Sequence, residues 1–418
     1  MNENKVYASI ITIGDELLIG QTIDTNSAWM AQELNKIGVW VRRRVAVGDV
    51  RDEIWNALDD ELKLADIILI TGGLGPTADD ITKPVLCEYF DGKLVINEEA
   101  LQNVINISNH FKRPLLEVNR KQAEVPDVCT VIQNRNGSAP GMLFEKQDKI
   151  IISMPGVPFE MKGMMTDYVI PQLPSLFSLP KVEHRTLLTA GIGESFLAER
   201  IKDFEQSLPQ HIKLAYLPNL GMVRLRLTST GNDESLKTEI DEHFNKLQQQ
   251  LRDVMVVNED ITLEEAIGRM LIERGETVSL AESCTGGYIS HLLTSIAGSS
   301  AYFMGGVVSY DNAVKQNVLG VDVDTLNNVG AVSEETVRQM ANGAQKLMNT
   351  NYAIAVSGIM GPGGGTGTKP VGTVWMAVCN DKRTITKMIN LRSDRRRNIE
   401  STAMNALNIL RLLLLDRI

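Results

Sequence analysis

The sequence predicts an α/β protein whose first domain contains a mostly parallel sheet. Apolar strand-like segments alternate with amphipathic helical segments over residues 6–73, and a similar alternation returns towards the end of the chain. The 418 residues are too many for one typical hydrophobic core, so several domains are expected. We place these domains at residues 1–170, 171–255 and 256–418.

The first domain begins with three strands and two helices in strict alternation. The strands are VYASIITIG (6–14), VWVRRRVAVGD (39–49) and DIILITGG (66–73), and the helices are TNSAWMAQELNKIG (25–38) and DEIWNALDDELKLA (52–65). This order and spacing predict right-handed crossovers between parallel strands. Residues 130–156 then predict a pair of hairpins with a turn at Asn136-Gly137. Three prolines indicate a linker after this domain: Pro171, Pro174 and Pro180.

The middle segment predicts a small α+β module without a chemistry of its own. A strand and a helix precede two strands joined by a Pro218-Asn219 turn, and a polar helix over residues 233–252 closes the module. In the last segment, helices alternate with strands before three successive strands, and an amphipathic helix ends the chain. We interpret that helix as a core or dimer-interface element, because its apolar stretch is too short to cross a bilayer. The last segment is therefore predicted to be a second α/β domain.

The composition indicates a soluble globular protein and excludes several functional classes. Hydrophobic residues make up 43% of the chain and charged residues 22%, without an apolar run of the ~20 residues that a membrane-spanning helix needs. The start of the chain lacks the pattern of a signal peptide. The four cysteines form no CxxC pair and the five histidines are scattered, which argues against zinc and disulfides and indicates the cytoplasm. The net charge of −10 disfavours nucleic acid as a partner.

The segment TGGLGPTADDITKP (71–84) follows an apolar strand directly, at the position where open parallel sheets bind their ligands. Three of its glycines allow backbone N–H groups to approach phosphate oxygens: Gly72, Gly73 and Gly75. The loop has neither the glycine-lysine-Ser/Thr of a Walker A motif nor the GxGxxG spacing. We predict a phosphate-binding loop, and a plain turn is the alternative.

Acidic side chains accompany this loop. Asp79 and Asp80 stand at the start of the next predicted helix, and Asp15 follows the first strand at the same edge of the sheet. Adjacent carboxylates repel a phosphate unless a divalent cation lies between them, and Mg²⁺ is usually held by one or two carboxylates and phosphate oxygens. We therefore predict a site for Mg²⁺ or a similar cation, with these three aspartates as candidate ligands. Helix capping by Asp79 is the alternative.

The segment SLAESCTGG (279–287) places possible nucleophiles where a strand turns into a helix. Ser283 is the preferred nucleophile, since N–H groups of the following turn can hold an oxyanion. His291 is not well placed as a base, because it lies two turns along the next helix, and we interpret it as a surface or core residue. Lys315 follows the next strand and can act as the base if burial lowers its pKa, with Tyr310 as a proton relay.

The turn after Ser283 contributes three further candidates. Thr285 is placed in the catalytic group, and Gly286 and Gly287 in the substrate-binding group, because their backbone N–H groups can face an oxyanion or a phosphate. Cys284 is a rival nucleophile, since a thiolate at a helix N-terminus is activated, although a histidine partner is lacking. A purely structural turn is the remaining alternative.

A glycine-rich segment, AVSGIMGPGGGTGTKPVGTVW (355–375), connects two of the last strands. Its glycine density exceeds what a turn needs and suits close approach of the backbone to a phosphate or a ribose. Its candidate binding residues are Gly361, Gly363 and Gly364. A flexible loop is the alternative.

ITIGDELLIGQTIDTNS, TGGLGPTADDITKP and MPGVPFEM (154–161) resemble the molybdopterin-binding-type domain of the CinA family. The resemblance implies a three-layer fold and a metal-dependent pyrophosphatase acting on ADP-ribose, with Asp79 and Asp80 as metal or catalytic carboxylates. Because this fold also serves molybdopterin adenylyl transfer, it does not by itself decide the reaction. The middle module matches the KH-like domain of the family. Its segment TAGIGESF contains only GIG instead of a GxxG loop, so we interpret the module as a spacer or dimerisation element.

AESCTGG, AGSS, GGVVSYDNAVK, GAVSEETV and SGIMGPGGGTGTKPVGTV resemble the C-terminal domain of the same family. The resemblance implies a nicotinamide-nucleotide amidase without a cofactor, which hydrolyses nicotinamide mononucleotide to the acid and ammonia. Arg395 in SDRRRNIE (393–400) matches the arginine of a glycine-Asp-Arg motif in the family and is assigned to substrate binding. Together the motifs predict a cytoplasmic, homodimeric enzyme of pyridine nucleotide salvage. The alternatives are a protein with one active domain and a non-enzymatic nucleotide-binding protein linked to competence.

Overall fold

In the computed structural model, which describes residues 5–231, 233 and 235–418, the chain forms two units. The first unit extends to His184 and includes Ser229–Lys237. The second unit comprises Arg185–Thr228 and Thr238–Ile418. Within the described ranges, none of the helices combines the length and the hydropathy that a membrane-spanning segment requires.

A six-stranded sheet organises the first unit. The strands before Lys181 are β1 (Tyr7–Ile13), β2 (Trp40–Val47), β3 (Ile67–Thr71), β4 (Leu94–Ile96), β5 (Glu124–Pro126), β6 (Thr130–Ile132), β7 (Gly141–Lys146) and β8 (Lys149–Met154). The order in the large sheet is β2-β1-β3-β8-β7-β6, and β4 pairs with β5 alone. The strands β2, β1, β3 and β8 are parallel to one another. The strand β7 is antiparallel to β8, and β6 is antiparallel to β7. The prediction of a mostly parallel sheet is confirmed.

Helices cover both faces of this sheet. They are α1 (Asp15–Leu18), α2 (Thr25–Lys36), α3 (Arg51–Leu62), α4 (Thr82–Tyr89), α5 (Glu98–His110), α6 (Glu117–Arg120), α7 (Pro158–Met164) and α8 (Ile170–Leu176), with a 3₁₀ turn at Lys121–Ala123 and a π-helical segment at Met165–Val169. Ile10 of β1 belongs to the same buried cluster as Leu34 of α2, whereas the next residue, Ile11, is buried with Leu58 of α3. Successive side chains of a strand point to opposite faces, so the unit has three layers, as predicted.

Two local predictions for this unit are wrong. Pro171 and Pro174 lie in α8 instead of a linker, and Leu173 between them is buried. Pro174 lies inside α8 and cannot donate a helical hydrogen bond, and the helix ends shortly after it, at Leu176. The predicted pair of hairpins is confirmed by the antiparallel pairing of β6 with β7 and of β7 with β8, but the Asn136-Gly137 turn is not tight, because the pair lies in the longer loop of residues 133–140. The tight turn between β7 and β8 is formed by Gln147 and Asp148.

The four-stranded sheet that follows in the chain lies mostly in the second unit. Its elements are β9 (Lys181–Ala190), α9 (Glu194–Arg200), α10 (Lys202–Gln206), β10 (Ile212–Asn219), β11 (Met222–Gly231), α11 (Ser235–Gln250) and β12 (Met255–Val257). The strand order is β10-β11-β9-β12. The predicted Pro218-Asn219 turn is wrong, because both residues belong to β10 at the edge of the sheet, where a proline is tolerated. Leu220 and Gly221 form the turn, with φ angles of 48° and 80°.

A mixed five-stranded sheet forms the rest of the second unit. Its strands are β13 (Val278–Glu282), β14 (Phe303–Val308), β15 (Tyr352–Gly358), β16 (Thr373–Cys379) and β17 (Thr384–Asn390). The order is β14-β13-β15-β16-β17, parallel among the first three strands and antiparallel among the last three. The strand β13, which lies between β14 and β15, is buried at all five positions.

Helices also flank this sheet on both sides. They are α12 (Leu263–Arg274), α13 (Tyr288–Thr294), α14 (Asn312–Leu319), α15 (Val323–Asn328), α16 (Glu334–Met348) and α17 (Arg395–Leu414), with a 3₁₀ turn at Ser299–Ala301. Leu280 of β13 shares a buried cluster with Ile267 of α12 and Leu407 of α17, whereas Ala281 is buried with Met340 of α16. The terminal helix α17 is therefore a core element.

Candidate active site

Ser283 lies directly after β13, an interior strand of the five-stranded sheet. Its backbone N–H donates to Val356 of β15 (N–O distance 3.0 Å), which continues the pairing of the two strands. The residue is 8% exposed, and its Oγ forms no hydrogen bond with any described residue. The predicted nucleophile is thus a nearly buried hydroxyl without a competing partner at the carboxyl end of a parallel strand.

The turn of residues 284–287 after this serine carries free backbone donors. Gly286 donates its N–H to the carbonyl oxygen of Ser283 at 3.2 Å, and Tyr288 to that of Thr285 at 3.1 Å. No acceptor in the described part of the chain faces the N–H groups of Thr285 and Gly287. Gly286 and Gly287 have φ angles of 63° and 97°, in the left-handed region that favours glycine. The turn is therefore able to hold an oxyanion.

Glu282, a residue that the sequence reasoning missed, anchors this turn. The side chain is 1% exposed, and one oxygen, Oε2, accepts from Thr285 Oγ1 at 2.7 Å and from the Ile289 N–H at 3.0 Å. The other oxygen, Oε1, accepts from the N–H and the Oγ of Ser290, at 2.8 and 2.6 Å. The Thr285 hydroxyl is thus bound to Glu282, which favours a positioning role for this side chain, and its catalytic assignment stays a prediction. The available signal was a glutamate at the end of an apolar, buried strand.

Lys315, the predicted base, is buried in α14 with 1% exposure. Its Nζ donates to the carbonyl oxygens of Ser309 and Tyr310, at 2.7 and 3.3 Å. Burial lowers the pKa of Lys315 below its ordinary value of 10.5, while the negative charge of Asp311 acts in the opposite direction. The structure shows no hydrogen bond between Lys315 Nζ and Ser283 Oγ among the described residues.

Cys284, the alternative nucleophile, is buried in the hydrophobic core. Burial raises the pKa of its thiol to about 12, and the negative charge of Glu282 contributes in the same direction. A thiol with such a pKa stays protonated at neutral pH, whereas the reactive form of cysteine is the thiolate. This environment disfavours Cys284 as the nucleophile.

Arg395, the first residue of α17, connects two of the other predicted groups. Its Nη2 donates to the hydroxyl oxygen of Tyr310 at 3.2 Å, and its Nη1 donates to the carbonyl oxygen of Gly361 at 2.8 Å. Tyr310 is 63% exposed, so its hydroxyl is accessible from solvent. Gly363 and Gly364 lie farther along the loop and are exposed, and their predicted binding role stays a prediction.

A cavity of about 810 Å³ adjoins the turn of residues 284–287 and the start of α17. Its lining residues are Thr285, Gly286, Gly287, Tyr288, His291, Arg395, Arg396, Ile399 and Glu400. His291 is exposed on the wall of this cavity, and Arg396 was not predicted from the sequence. The size falls in the range of small-molecule sites, and two guanidinium groups suit an anionic ligand.

The predicted phosphate loop of the first unit follows β3. Gly72 and Gly73 have φ angles of 115° and 63°, and a side chain on Gly72 would place Cβ 2.1 Å from the carbonyl oxygen of Ile13. A small cavity of about 120 Å³ lies beside Gly72 and is also lined by Asn26 and Thr71. Gly73 and Gly75 are not among its lining residues.

Asn26 was not predicted for this cleft. Its Nδ2 donates to the carbonyl oxygen of Gly156 at 2.7 Å, whereas its Oδ1 is buried without a hydrogen-bond partner. Because an unpaired buried acceptor is unfavourable, a donor from a ligand would stabilise this arrangement.

The predicted cation ligands do not converge. Asp80 turns back into its own loop, accepting hydrogen bonds from the N–H groups of Gly75 at 2.8 Å and Thr77 at 2.9 Å. Asp79 is exposed, and a hydrogen bond from Thr77 lowers the pKa of its carboxyl group. Asp15 Oδ1 instead accepts from the Asp49 N–H at 3.2 Å. Among the described residues, no three His, Cys, Asp or Glu side chains form a group that could hold a metal ion.

Asp49 was also missed by the sequence reasoning. Its Oδ2 accepts from the Asp15 N–H at 3.1 Å, so the two aspartates exchange backbone hydrogen bonds. Burial raises the pKa of Asp49, and the negative charges of Asp15, Glu16 and Asp79 raise it further. The carboxylates thus concentrate negative charge at this edge of the sheet without forming the predicted ligand set.

Comparison with known proteins matches three family models to successive parts of the chain. A probable molybdopterin binding domain matches residues 9–175, the damage-inducible protein CinA KH domain matches 184–256, and the CinA C-terminal domain matches 260–414. A CinA-like protein of Cytophaga hutchinsonii is 44% identical over 97% of both chains. A CinA-like protein of Flavobacterium psychrophilum is 46% identical over 96% of this chain and 97% of its own. A putative competence-damage inducible protein of Caldicellulosiruptor saccharolyticus is 40% identical over 97% of this chain and 98% of its own. The chain belongs to the CinA family.

Proposed function

We propose that the C-terminal domain is an amidohydrolase that converts nicotinamide mononucleotide and water to nicotinate mononucleotide and ammonia. The observation that carries the proposal is the unbonded Ser283 hydroxyl at the end of β13, followed by a turn with free N–H donors. A serine nucleophile needs a base and an oxyanion site, and Lys315 and the turn can supply them.

The proposed reaction proceeds through an acyl-enzyme. Lys315, as a neutral amine, takes the proton of Ser283 while Oγ attacks the carboxamide carbon. The N–H groups of Thr285 and Gly287 stabilise the oxyanion, and Lys315 returns the proton through Tyr310 to the nitrogen as the C–N bond breaks and ammonia leaves. Water then attacks the ester carbon and gives a proton to Lys315, which is neutral again. Lys315 passes this proton to Ser283 Oγ as the ester C–O bond breaks, which releases the carboxylic acid and restores the serine hydroxyl.

The environment of Lys315 is compatible with this role. Desolvation disfavours the ammonium form, so part of the population is neutral at a lower pH than in water. A neutral amine retains two N–H donors for the carbonyl oxygens of Ser309 and Tyr310, and its lone pair remains free to accept a proton. The reaction requires Nζ and Ser283 Oγ to come within hydrogen-bond distance when substrate binds.

The adjoining cavity supports a mononucleotide substrate. Its volume of about 810 Å³ accommodates a base, a ribose and a phosphate. Arg395 and Arg396 can pair with a phosphate, and the ring of Tyr288 offers a face for an aromatic base.

Ammonia release from nicotinamide mononucleotide by the purified protein tests the proposal. Ser283→Ala should reduce kcat by at least about 10³-fold, since it removes the atom that forms the covalent intermediate. Cys284→Ala is the matched control and should retain activity within about twofold, because a protonated thiol does not act as the nucleophile. An active Ser283→Ala protein would refute the serine mechanism.

We infer a second activity, a pyrophosphatase acting on ADP-ribose, for the first unit. The cleft beside Gly72 favours it, because the unpartnered Asn26 Oδ1 there is a ready acceptor for a nucleotide hydroxyl or amino group. The three aspartates predicted to bind the cation do not fit it in their present arrangement, so the assay compares AMP release with and without Mg²⁺. Absence of both products, AMP and ammonia, would favour a non-enzymatic role.

A further inference from the structure

We propose that Glu282 is a positioning residue for the amidase reaction, holding the Ser283 turn and the start of α13 in their reactive geometry. This inference rests on the proposed function of the C-terminal domain. Glu282 is not itself among the residues that line the cavity, so its action passes through the residues that it binds.

The first argument is the full satisfaction of a buried charge. Burying a carboxylate is unfavourable unless it is hydrogen-bonded, and Glu282 at 1% exposure accepts four hydrogen bonds, two on each oxygen. Two donors are the N–H groups of Ile289 and Ser290, which have no partner within α13 because they belong to its first turn. The carboxylate thus replaces the missing helical acceptors.

Second, the hydrogen bonds of Glu282 also connect the turn of residues 284–287 to α13. The Thr285 hydroxyl binds the same oxygen, Oε2, as the Ile289 N–H, so the carboxylate joins the middle of the turn to the helix that follows it. Between these points lie Gly286 and Gly287, which have left-handed backbone conformations and no side chain to pack against the protein. Glu282 therefore limits the freedom of the segment that carries the free N–H donors.

The third argument is the connection of the same residue to the base. The carbonyl oxygen of Glu282 accepts from the Ser309 N–H at 2.8 Å, and the carbonyl oxygen of Ser309 accepts from Lys315 Nζ at 2.7 Å. Glu282 is adjacent to Ser283 in the chain and two hydrogen bonds away from Lys315. Glu282 thus connects the nucleophile, the turn with the oxyanion donors and the base through one set of hydrogen bonds.

Glu282→Gln tests this role without changing the size of the side chain. Each carboxylate oxygen accepts from one backbone N–H, Ile289 on one side and Ser290 on the other. Whichever way the glutamine amide is turned, its NH₂ group therefore meets a backbone donor, and the turn must shift. A displacement of about 1 Å can reduce a rate by roughly 10², so kcat should fall about 10²-fold while KM changes less than about threefold.

A second variant keeps the carboxylate and removes one donor. Thr285→Val deletes a single hydroxyl and should lower kcat by about tenfold, whereas Thr285→Ser keeps the hydroxyl and should recover most of the kcat that Thr285→Val loses. Ser279→Ala is the control for a lost buried hydrogen bond on the same strand, since Ser279 Oγ lies 2.8 Å from Thr350 Oγ1 at the other end of β13. It should lower the melting temperature without lowering kcat.

A fluorophosphonate probe that labels Ser283 separates the two proposals. Slower labelling and lower kcat in Glu282→Gln and Thr285→Val, but not in Ser279→Ala, would support the role of Glu282. Wild-type kcat and labelling in both variants would overturn it. If the wild type is labelled but releases no ammonia, the proposed function fails and the labelling rates alone decide. If the wild type is not labelled either, both proposals fall, because there is no activated serine to position.

Discussion

Lys315 is the residue whose protonation state controls the proposed reaction. Burial lowers its pKa below 10.5, and only the neutral amine can accept the serine proton. We therefore expect kcat/KM for nicotinamide mononucleotide to rise with pH along a limb whose apparent pKa lies below 10.5. Lys315→Arg should lose this limb together with the activity, since a guanidinium does not deprotonate in this range. An unchanged pH profile in the variant would exclude Lys315 as the base.

Most residues of the candidate site were predicted from the sequence, but its buried glutamate was not. Motifs and their order in the chain pointed to Ser283, Lys315, Tyr310 and Arg395. In the structure, Tyr310 accepts hydrogen bonds from two of them, from Lys315 Nζ on its carbonyl oxygen and from Arg395 Nη2 on its hydroxyl. The buried anchor Glu282 was not identified, because a glutamate in a strand resembles a solvent-facing residue until its burial is known.

At the scale of the element, the turns that contain Gly72 and Gly286 differ in the space available for a side chain. Gly286 has a φ angle of 63° and open space where a Cβ would be added, so Gly286→Ala adds backbone strain alone, about 1 kcal/mol. At Gly72 the added Cβ would lie 2.1 Å from the carbonyl oxygen of Ile13, and backbone must move. We expect Gly72→Ala to cost about 3 kcal/mol or more.

Urea unfolding followed by circular dichroism measures both variants, each in the transition of its own unit. Equal losses would show that steric contact at Gly72 is relieved by relaxation. Gly221→Ala is the matched control for Gly286→Ala, since it too has a positive φ angle, 80°, and nothing near an added Cβ.

Elements were predicted better than the turns that join them. The alternation of strands and helices followed from hydrophobic periodicity, which burial on one or two faces imposes. The turns were misplaced where non-glycine residues adopt left-handed conformations, as Gln147, Asp148 and Leu220 do. Such residues carry a weaker sequence signal than Asn-Gly, because their strain is offset by the pairing of the strands beside them.

At the scale of the whole molecule, the two proposed activities should be separable in the full-length chain. Ser283→Ala should abolish ammonia release while AMP release from ADP-ribose remains at the wild-type level. Asn26→Ala should reduce AMP release, because Asn26 lines the first-unit cleft and binds Gly156, and should leave ammonia release unchanged. Loss of both products in either variant would show that the two activities depend on one site.

The sequence alone determined the family, the α/β class and the parallel strands, and it led to the prediction of Ser283 and Lys315 as nucleophile and base, because motifs and periodicity are local properties of the chain. Only the tertiary structure decided which side chains are free to react. It occupied the hydroxyl of Thr285 with Glu282, turned Asp80 back into its own loop, and buried Cys284 as a protonated thiol. These outcomes depend on burial and on partners distant in the sequence. The hydrogen bonds and the pKa of a side chain are set by its environment in the fold, which residue type alone does not specify.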